Sequence, residues 1–111
     1  MPAFRPSSVR IHPDLEGAYA QVERKARGGS KSDATLWRAF LRCVESVRRD
    51  GQWGEVIPRI PAYFLRAYGV PNLYCVDLPS FHRAFYTIFG RDVIFLDLVD
   101  HRQYDKWMRG R

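Results

Sequence analysis

The spacing of apolar residues divides this chain into a helix-forming first half and a strand-forming second half. Up to residue 50, apolar side chains recur at intervals of three and four residues, which is the period of a helix with one buried face. From residue 73 onward the period falls to two, and β-branched and aromatic residues become frequent, as in half-buried strands. This change of period predicts an α+β fold in which helices cover one face of a sheet.

Two helices are predicted in the first half. The first spans residues 13–27 and begins at Pro13, because the missing N–H of a proline costs nothing at the first helical position. The second spans residues 33–50, and either Ser32 or Asp33 can cap its N-terminus. The connector between them is short and rich in glycine, so the two helices form an antiparallel hairpin.

Three strands are predicted in the second half, at residues 73–78, 82–89 and 92–99. Turns of two or three residues separate these strands, so that neighbouring strands pair in an antiparallel manner. Gly90 stands first in the second turn, where a type II′ turn requires a positive φ.

The remaining segments carry weaker patterns. Residues 1–8 are predicted to be a loose end, and residues 9–11 suit a short strand. The prolines within residues 51–72 allow only a loop with one short helix, and the tail from residue 101 suits a last short helix. Together these elements predict a single domain over residues 1–111 with a three- to four-stranded antiparallel sheet.

The turns also predict which residues face each other across the strands. A two-residue turn at the second hairpin pairs Ala84 with Asp97 and His82 with Val99. The first turn places Asp77 opposite Arg83, on a sheet face shared with three other residues. These three residues are Cys75, Phe85 and Leu96. An ion pair between Asp77 and Arg83 would fix the register whether or not the two residues have a further function.

The composition adds a preference for polyanionic partners. The chain has 111 residues, of which 46% are hydrophobic, and this is sufficient for one packed domain. Eighteen Lys and Arg against twelve Asp and Glu give a net charge of +6, which favours nucleic acid or an acidic protein segment. A basic surface that binds neither is the alternative.

Two function classes are not expected from this sequence. The two cysteines, Cys43 and Cys75, lack the close spacing of zinc or dithiol motifs, so we expect core residues, no metal and no cofactor. No apolar run is long enough to span a membrane, and the start lacks the apolar segment of an export signal. A cytoplasmic protein without a membrane partner is expected.

The second half also carries residue patterns that resemble those of a toxin family. The patterns are NLYCVDLPSFHRAFYTIFG at residues 72–90, DVIFLDLVDH at residues 92–101 and HRQYDKW at residues 101–107. After a helical hairpin, they resemble the RelE/ParE superfamily of type II toxin–antitoxin toxins, in particular its RelE-like branch. The resemblance covers residues 72–104 in residue pattern and residues 9–108 in the order of elements.

This resemblance implies a RelE-like toxin that a cognate antitoxin holds in check and that acts on messenger RNA at the ribosome. RelE-like members cleave RNA without a metal and use its own 2′-hydroxyl as the nucleophile. The protein must then supply a proton acceptor, a proton donor and cations around the phosphate. The alternative is a non-catalytic interaction module on the same fold, binding a protein partner or nucleic acid, as in the gyrase-directed action of ParE-like members. The oligomeric state stays open.

The resemblance assigns site residues as well. Arg83 matches the second-strand arginine that contacts the scissile phosphate, for which a guanidinium fork is well shaped. His101 and Tyr104 match C-terminal positions that often carry proton-transfer groups in the family. The remaining candidates, for binding substrate or phosphate, are Arg102, Asp77 and Lys106.

Two positions depart from the family pattern. RelE-like nucleases commonly carry lysines in the strand before the arginine, where this chain has Cys75 and Asp77. A carboxylate beside a phosphate site repels the substrate unless Arg83 neutralises it or unless it serves as a base. The missing lysines favour the interaction module, whereas Arg83, His101 and Tyr104 favour the enzyme.

Several candidates also suit purely structural roles. His101 can cap the last helix, and the three-residue spacing of Tyr104 and Trp107 suits the buried face of that helix. Three arginines on one side of the second helix suit either a solvated face or a surface for RNA or the antitoxin. They are Arg38, Arg42 and Arg49.

Overall fold

A computed structural model describes residues 4–79 and 81–109, without the side chains of residues 101 and 107–109. The helices are α1 (Glu16–Arg27), α2 (Lys31–Arg49), α3 (Ala62–Tyr68) and α4 (His101–Arg109). The strands are β1 (Ser8–Ile11), β2 (Glu55–Val56), β3 (Tyr74–Leu78), β4 (His82–Phe89) and β5 (Asp92–Asp100). In this part of the chain no helix is both long and apolar enough to cross a membrane.

The predicted α+β fold is confirmed, but the sheet differs from the prediction in detail. In the described residues it has five strands in the order β1, β5, β4, β3, β2, rather than three or four. It is mixed rather than antiparallel, because β1 pairs with β5 in a parallel direction. A parallel pair needs a long crossover connection, and here the helices and the rest of the sheet provide it.

The segment before β1 is hydrogen-bonded to the turn after α2 and to Arg91 in the turn before β5. The Gly51 N–H donates to the carbonyl oxygen of Phe4 at 2.7 Å, and the Ser7 N–H donates to that of Arg91 at 2.6 Å. At the start of β1, Ser8 Oγ donates to Asp92 Oδ1 at 2.7 Å. Residues 4–8 of the predicted loose end are thus bonded to the sheet and to the turn after α2.

Both predicted helices begin somewhat differently from the prediction. A single 3₁₀ turn, Pro13–Leu15, precedes α1, so the α-helix itself starts at Glu16. The second helix begins at Lys31 because Ser30, rather than Ser32 or Asp33, is its N-cap. The Asp33 N–H donates to Ser30 Oγ at 3.3 Å, which satisfies one of the first-turn amides.

The helical hairpin covers one face of the sheet, as predicted. Apolar residues of α1 and α2 pack there on residues of β3, β4 and β5 to form the first core cluster. This cluster consists of Tyr19, Phe40, Cys43, Val47, Val76, Ala84, Tyr86, Val93 and Phe95. Tyr19 also donates its hydroxyl to the Leu96 carbonyl oxygen, beyond the end of β1, where β5 has no neighbouring strand on that side.

The opposite face of the sheet is also packed. The short helix α3 contributes Phe64 to a second core cluster, and Tyr104 of α4 packs against its edge. The buried members of the cluster are Phe64, Val70, Leu73, Cys75, Phe85 and Leu96. The predicted sharing of a face by Cys75, Phe85 and Leu96 is therefore confirmed, but most of this face is core rather than an open groove.

The register between β4 and β5 agrees with the prediction only near the turn. Phe89 pairs with Asp92, and Gly90 has a φ of 64°, as the two-residue turn requires. Further along, the predicted pairs of Ala84 with Asp97 and His82 with Val99 are wrong. Ala84 pairs with Leu98 and His82 pairs with Asp100.

A β-bulge in β5 causes this shift. Tyr86 pairs with Phe95 and Ala84 with Leu98, so two β5 residues, at positions 96 and 97, stand opposite Phe85 alone. Both bulge residues, Leu96 and Asp97, are buried. A bulge adds one residue to one strand and bends it, and every pair beyond it moves by one position.

Asn72 closes the open end of the hairpin formed by β3 and β4. Its Oδ1 accepts from the Ile88 N–H at 2.7 Å, and its Nδ2 donates to the Ile88 carbonyl oxygen at 2.8 Å. Thr87 Oγ1 lies 2.9 Å from both the Asn72 carbonyl oxygen and Oδ1. The amide side chain thus continues the strand pairing one step beyond β3, which explains an asparagine at the start of this motif.

We predict that Asn72→Ala lowers the free energy of unfolding by about 1–3 kcal/mol, because the Ile88 amide and carbonyl lose their partners. Asn72→Asp keeps the acceptor and loses the donor, so its loss should be smaller. Gln52→Ala, at an exposed amide with no side-chain bond to the described residues, is the control. Urea unfolding measures all three, and an Asn72→Ala variant as stable as the control would contradict this role.

Candidate functional site

The predicted pair of Asp77 and Arg83 is present at the end of the hairpin between β3 and β4. The two residues face each other across the strands, next to the last pair before the turn, Leu78 and His82. Arg83 Nε lies 3.1 Å from Asp77 Oδ1. The Arg83 side chain is only 24% exposed, whereas that of Asp77 is 77% exposed. The cation is thus largely enclosed by protein and its counterion lies mostly in water.

Tyr104 lies against the guanidinium. The centroid of its ring is 4.4 Å from Arg83 Cζ, within the range of a cation–π contact. The same ring stacks on Phe85, with centroids 5.5 Å apart and planes inclined by 12°. Because Phe85 belongs to the buried cluster, Tyr104 anchors α4 on this face and holds Arg83 in place.

The turn from β5 into α4 brings Tyr104 to this position. Asp100 Oδ1 accepts from the Gln103 N–H at 2.9 Å, which caps the first turn of the helix. Since the bulge makes His82 pair with Asp100, α4 begins directly beside the first residue of β4. The end of β5 and the start of β4 therefore place Tyr104 and Arg83 together, although they are distant in sequence.

The other predicted site residues lie on α4. Arg102 and Lys106 are exposed and stand one helical turn apart, and neither forms an ion pair with another described residue. The backbone of His101 starts the helix, but its side chain lies outside the described residues. The structure thus brings Asp77, Arg83 and Tyr104 into contact and adds two exposed cations on the same helix.

Cys75 lies next to this group but does not offer a nucleophile. Burial raises the pKa of its thiol to about 11, while the nearby Arg83 guanidinium acts in the opposite direction and Asp77 adds to the increase. The thiol is therefore protonated at neutral pH. Within the described residues, no group of three or more His, Cys, Asp or Glu side chains is placed to hold a metal ion.

A second polar cluster, which the sequence interpretation missed, is centred on the buried Asp97. The Tyr63 and Tyr68 hydroxyls donate to Asp97 Oδ2 at 2.8 and 2.9 Å. Burial is the largest cause that raises the pKa of Tyr68, and the hydrogen bond with Tyr63 and the contact with Asp97 add to the increase. The His12 ring meets Tyr68 edge to face at 5.1 Å. The carboxylate ties α3 to the bulge in β5, and its only sequence signal is an acidic residue inside an apolar strand.

A groove of about 840 Å³ lies on the other side of the molecule, between β1 and α2. Its lining is mostly apolar and includes Trp37, Val44 and Leu41, which is 46% exposed. Leu41 also borders a smaller hollow, which is lined by Arg42 and Arg49 together with Glu45 and Ser46. These two arginines and Arg38 form no ion pair within the described part of the chain. An apolar groove thus runs beside an arginine-rich side of α2.

The chain was compared with protein-family models, with curated proteins and with solved structures, and none of them matched.

We predict that stability falls as the pH rises through the window from 9.0, the ordinary thiol pKa, to about 11 in the folded protein. In this window the folded state binds the Cys75 proton more tightly than the unfolded state does, so stability is complete below the window and decreases across it. Cys75→Ala should remove about 2 kcal/mol of the decrease.

The measurement is the slope of unfolding free energy against pH, because the slope is independent of the constant cost of the smaller side chain. Cys43→Ala, at the other buried thiol, is the comparison. Burial raises the pKa of Cys43 to about 12, so its contribution to stability also declines from 9.0 but continues to decline above the Cys75 window. An unchanged slope in Cys75→Ala would show that this thiol does not carry the effect.

Proposed function

We propose that this chain is the RelE-like toxin component of a type II toxin–antitoxin system and that it cleaves messenger RNA on the ribosome without a metal. The single observation that carries the proposal is the contact of Arg83 with Tyr104. The resemblance assigns these two residues to one site, and they meet through the pairing of β4 with β5 and the start of α4. The helical hairpin on the other face of the sheet is the remaining part of a RelE-like architecture.

Arg83 is suited to hold the scissile phosphate. A guanidinium donates two parallel hydrogen bonds to a phosphate, and one that is already enclosed loses little side-chain entropy on binding. The Tyr104 ring restricts the plane of the guanidinium. An arginine held in this way stabilises the negative charge that grows on the phosphate oxygens in the transition state.

The cleavage step itself needs two proton transfers. The RNA 2′-hydroxyl attacks the adjacent phosphorus, a base takes the hydroxyl proton, and the bond to the 5′-oxygen breaks as an acid protonates that oxygen. Tyr104 and His101 are the residues proposed for these two roles. The hydroxyl of Tyr104 is carried by the ring that contacts Arg83, so the acid or base and the phosphate-binding cation share one position.

The exposed cations of α4 are proposed to bind other phosphates of the same RNA strand. Arg102 and Lys106 are separated by one helical turn and are exposed to solvent. Neighbouring phosphates of an RNA strand lie at a comparable spacing, so the two cations suit a part of the strand that passes over the exposed side of α4, opposite Tyr104. These contacts would add affinity and salt dependence without selecting a base.

We predict that Arg83→Ala lowers the rate of metal-independent cleavage on translating ribosomes by about 10²- to 10³-fold, because it removes charge stabilisation that grows in the transition state. Tyr104→Phe keeps the ring under Arg83 and removes only the hydroxyl, and should lower the rate by about 10²-fold. His101→Ala is expected to have an effect of similar size. Cleavage of ribosome-bound RNA in the presence of a chelator is the assay.

Arg66→Ala, at an exposed arginine of α3, is the matched control for loss of one positive charge. It should cleave at the rate of the parent protein. If the parent protein neither cuts ribosome-bound RNA nor slows growth when expressed, the nuclease is abandoned for the second candidate.

The second candidate is a non-catalytic interaction module on the same fold, and the groove between β1 and α2 favours it. Its apolar lining suits leucine-like side chains of a protein segment rather than phosphates, and the adjacent arginines of α2 suit acidic residues of that segment. A cognate antitoxin with an acidic amphipathic segment would have this chemistry. The module and the nuclease use opposite faces of the sheet, so they can be tested separately.

We predict that Leu41→Asp weakens binding of a synthetic helical peptide of leucine and glutamate by about tenfold or more, because it removes an apolar contact and repels the glutamates. Leu65→Asp is the matched control, since Leu65 is a leucine of α3 with 50% exposure against 46% for Leu41. Fluorescence anisotropy of the labelled peptide gives both affinities. Equal affinities of the two variants would exclude the groove as the binding site.

A further inference from the structure

The Arg83 site combines a largely enclosed cation with an exposed anion. Arg83 is enclosed, with its guanidinium against the Tyr104 ring, whereas Asp77 reaches it from a side chain that is 77% exposed. Moving the Asp77 carboxylate away into water would disturb little of the surrounding packing. Moving the Arg83 guanidinium would break its contact with the ring. When another anion approaches, Asp77 is therefore the partner that leaves.

We propose that Asp77 is an intramolecular competitor for the anion site of Arg83, and that an RNA phosphate binds there by displacing the Asp77 carboxylate. This inference rests on the proposed function, since it concerns the same site. The carboxylate and the phosphate are alternative partners of one guanidinium fork. Before RNA binds, Asp77 occupies the position of the phosphate.

The position of Asp77 in the sheet makes this competition effective. The pairing of β3 with β4 keeps Asp77 directly opposite Arg83, so the competing carboxylate never diffuses away. An ion pair with one exposed member is nevertheless weak, because water and salt screen it. Asp77 therefore lowers the affinity of Arg83 for an incoming anion, but it does not block the site.

This competition favours one class of ligand. A single phosphate only replaces the Asp77 carboxylate at Arg83, so its net gain in binding free energy is small. A strand with several phosphates is long enough to contact further cations away from Arg83, such as the exposed Arg102 and Lys106 on the other side of α4 from Tyr104, and so gains contacts that Asp77 does not oppose. The site should thus prefer an extended phosphodiester strand over free nucleotides or inorganic phosphate.

The test is the affinity for a short, labelled, single-stranded 2′-O-methyl RNA, which retains the phosphates but lacks the attacking hydroxyl and cannot be cleaved. Asp77→Asn should bind it about three- to tenfold more tightly than the parent protein at about 0.15 M salt. Glu55→Gln is the matched control. Glu55 is an exposed carboxylate on the same sheet face, paired with Cys75, and it forms no ion pair with another described residue.

A double-mutant cycle shows whether the gain acts through Arg83. If Asp77 competes for the guanidinium, the gain from Asp77→Asn should fall to less than about twofold when Arg83 is already Ala. Simple repulsion between Asp77 and RNA would instead persist in the Arg83→Ala background and would appear equally in Glu55→Gln. Either of those results would overturn the proposal.

A second measurement separates competition from a structural role. Asp77→Asn should also produce measurable binding of inorganic phosphate, seen as amide shifts near Arg83, where the parent protein shows none. If Asp77→Asn instead lowers the melting temperature and leaves both affinities unchanged, the ion pair only fixes the strand register and the proposal is wrong.

Failure of this inference can be distinguished from failure of the proposed function. If Arg83→Ala does not weaken RNA binding, Arg83 is not a phosphate site and both are wrong. If Arg83→Ala weakens binding and Asp77→Asn does not strengthen it, only the competition is wrong. The binding assays need no cleavage, so an inactive protein still gives a decisive result.

Discussion

The strand register around β4 is the constraint on which the rest of this structure depends. Side chains alternate between the two faces of a strand, so a shift of one residue would move Arg83 from the site to the helical face. The turn between β3 and β4 has three residues and the turn between β4 and β5 has two. These lengths determine which side chains lie on each face of the sheet near the turns. The ion pair of Asp77 with Arg83 then holds one end of the hairpin formed by β3 and β4, and the hydrogen bonds of Asn72 with Ile88 hold the other end.

The bulge in β5 is the one interruption of this regular pairing, and the site depends on it. It allows Leu96 and Asp97 to be buried next to each other, and Asp97 then binds two hydroxyls of α3. It also changes the partner of His82 from Val99 to Asp100, which is the residue that caps α4. The packing of α3 and the approach of Tyr104 to Arg83 thus have a common origin.

The sequence was most informative where a single period extends over many residues. The two long helices and the three C-terminal strands follow from such periods, and the pairing of Asp77 with Arg83 follows from turn length alone. The two-residue strand β2 is too short for any period, and the parallel direction of β1 depends on contacts with a distant segment. The bulge is likewise a tertiary effect, because burial of Asp97 requires the hydroxyls of α3.

The parallel pair of β1 and β5 has a consequence for folding. Ser8 and Asp92 are 84 positions apart, so closing this pair orders a long loop, which is slow and costs more chain entropy than closing either hairpin. We therefore expect β1 to join the sheet late, and one wall of the groove beside α2 is missing until it does. A molecule that occupies the groove binds only the protein in which β1 has joined the sheet, and it shifts the folding equilibrium towards that state. Such a partner would stabilise the fully folded protein, so the fraction of molecules with β1 in place would depend on the concentration of the partner.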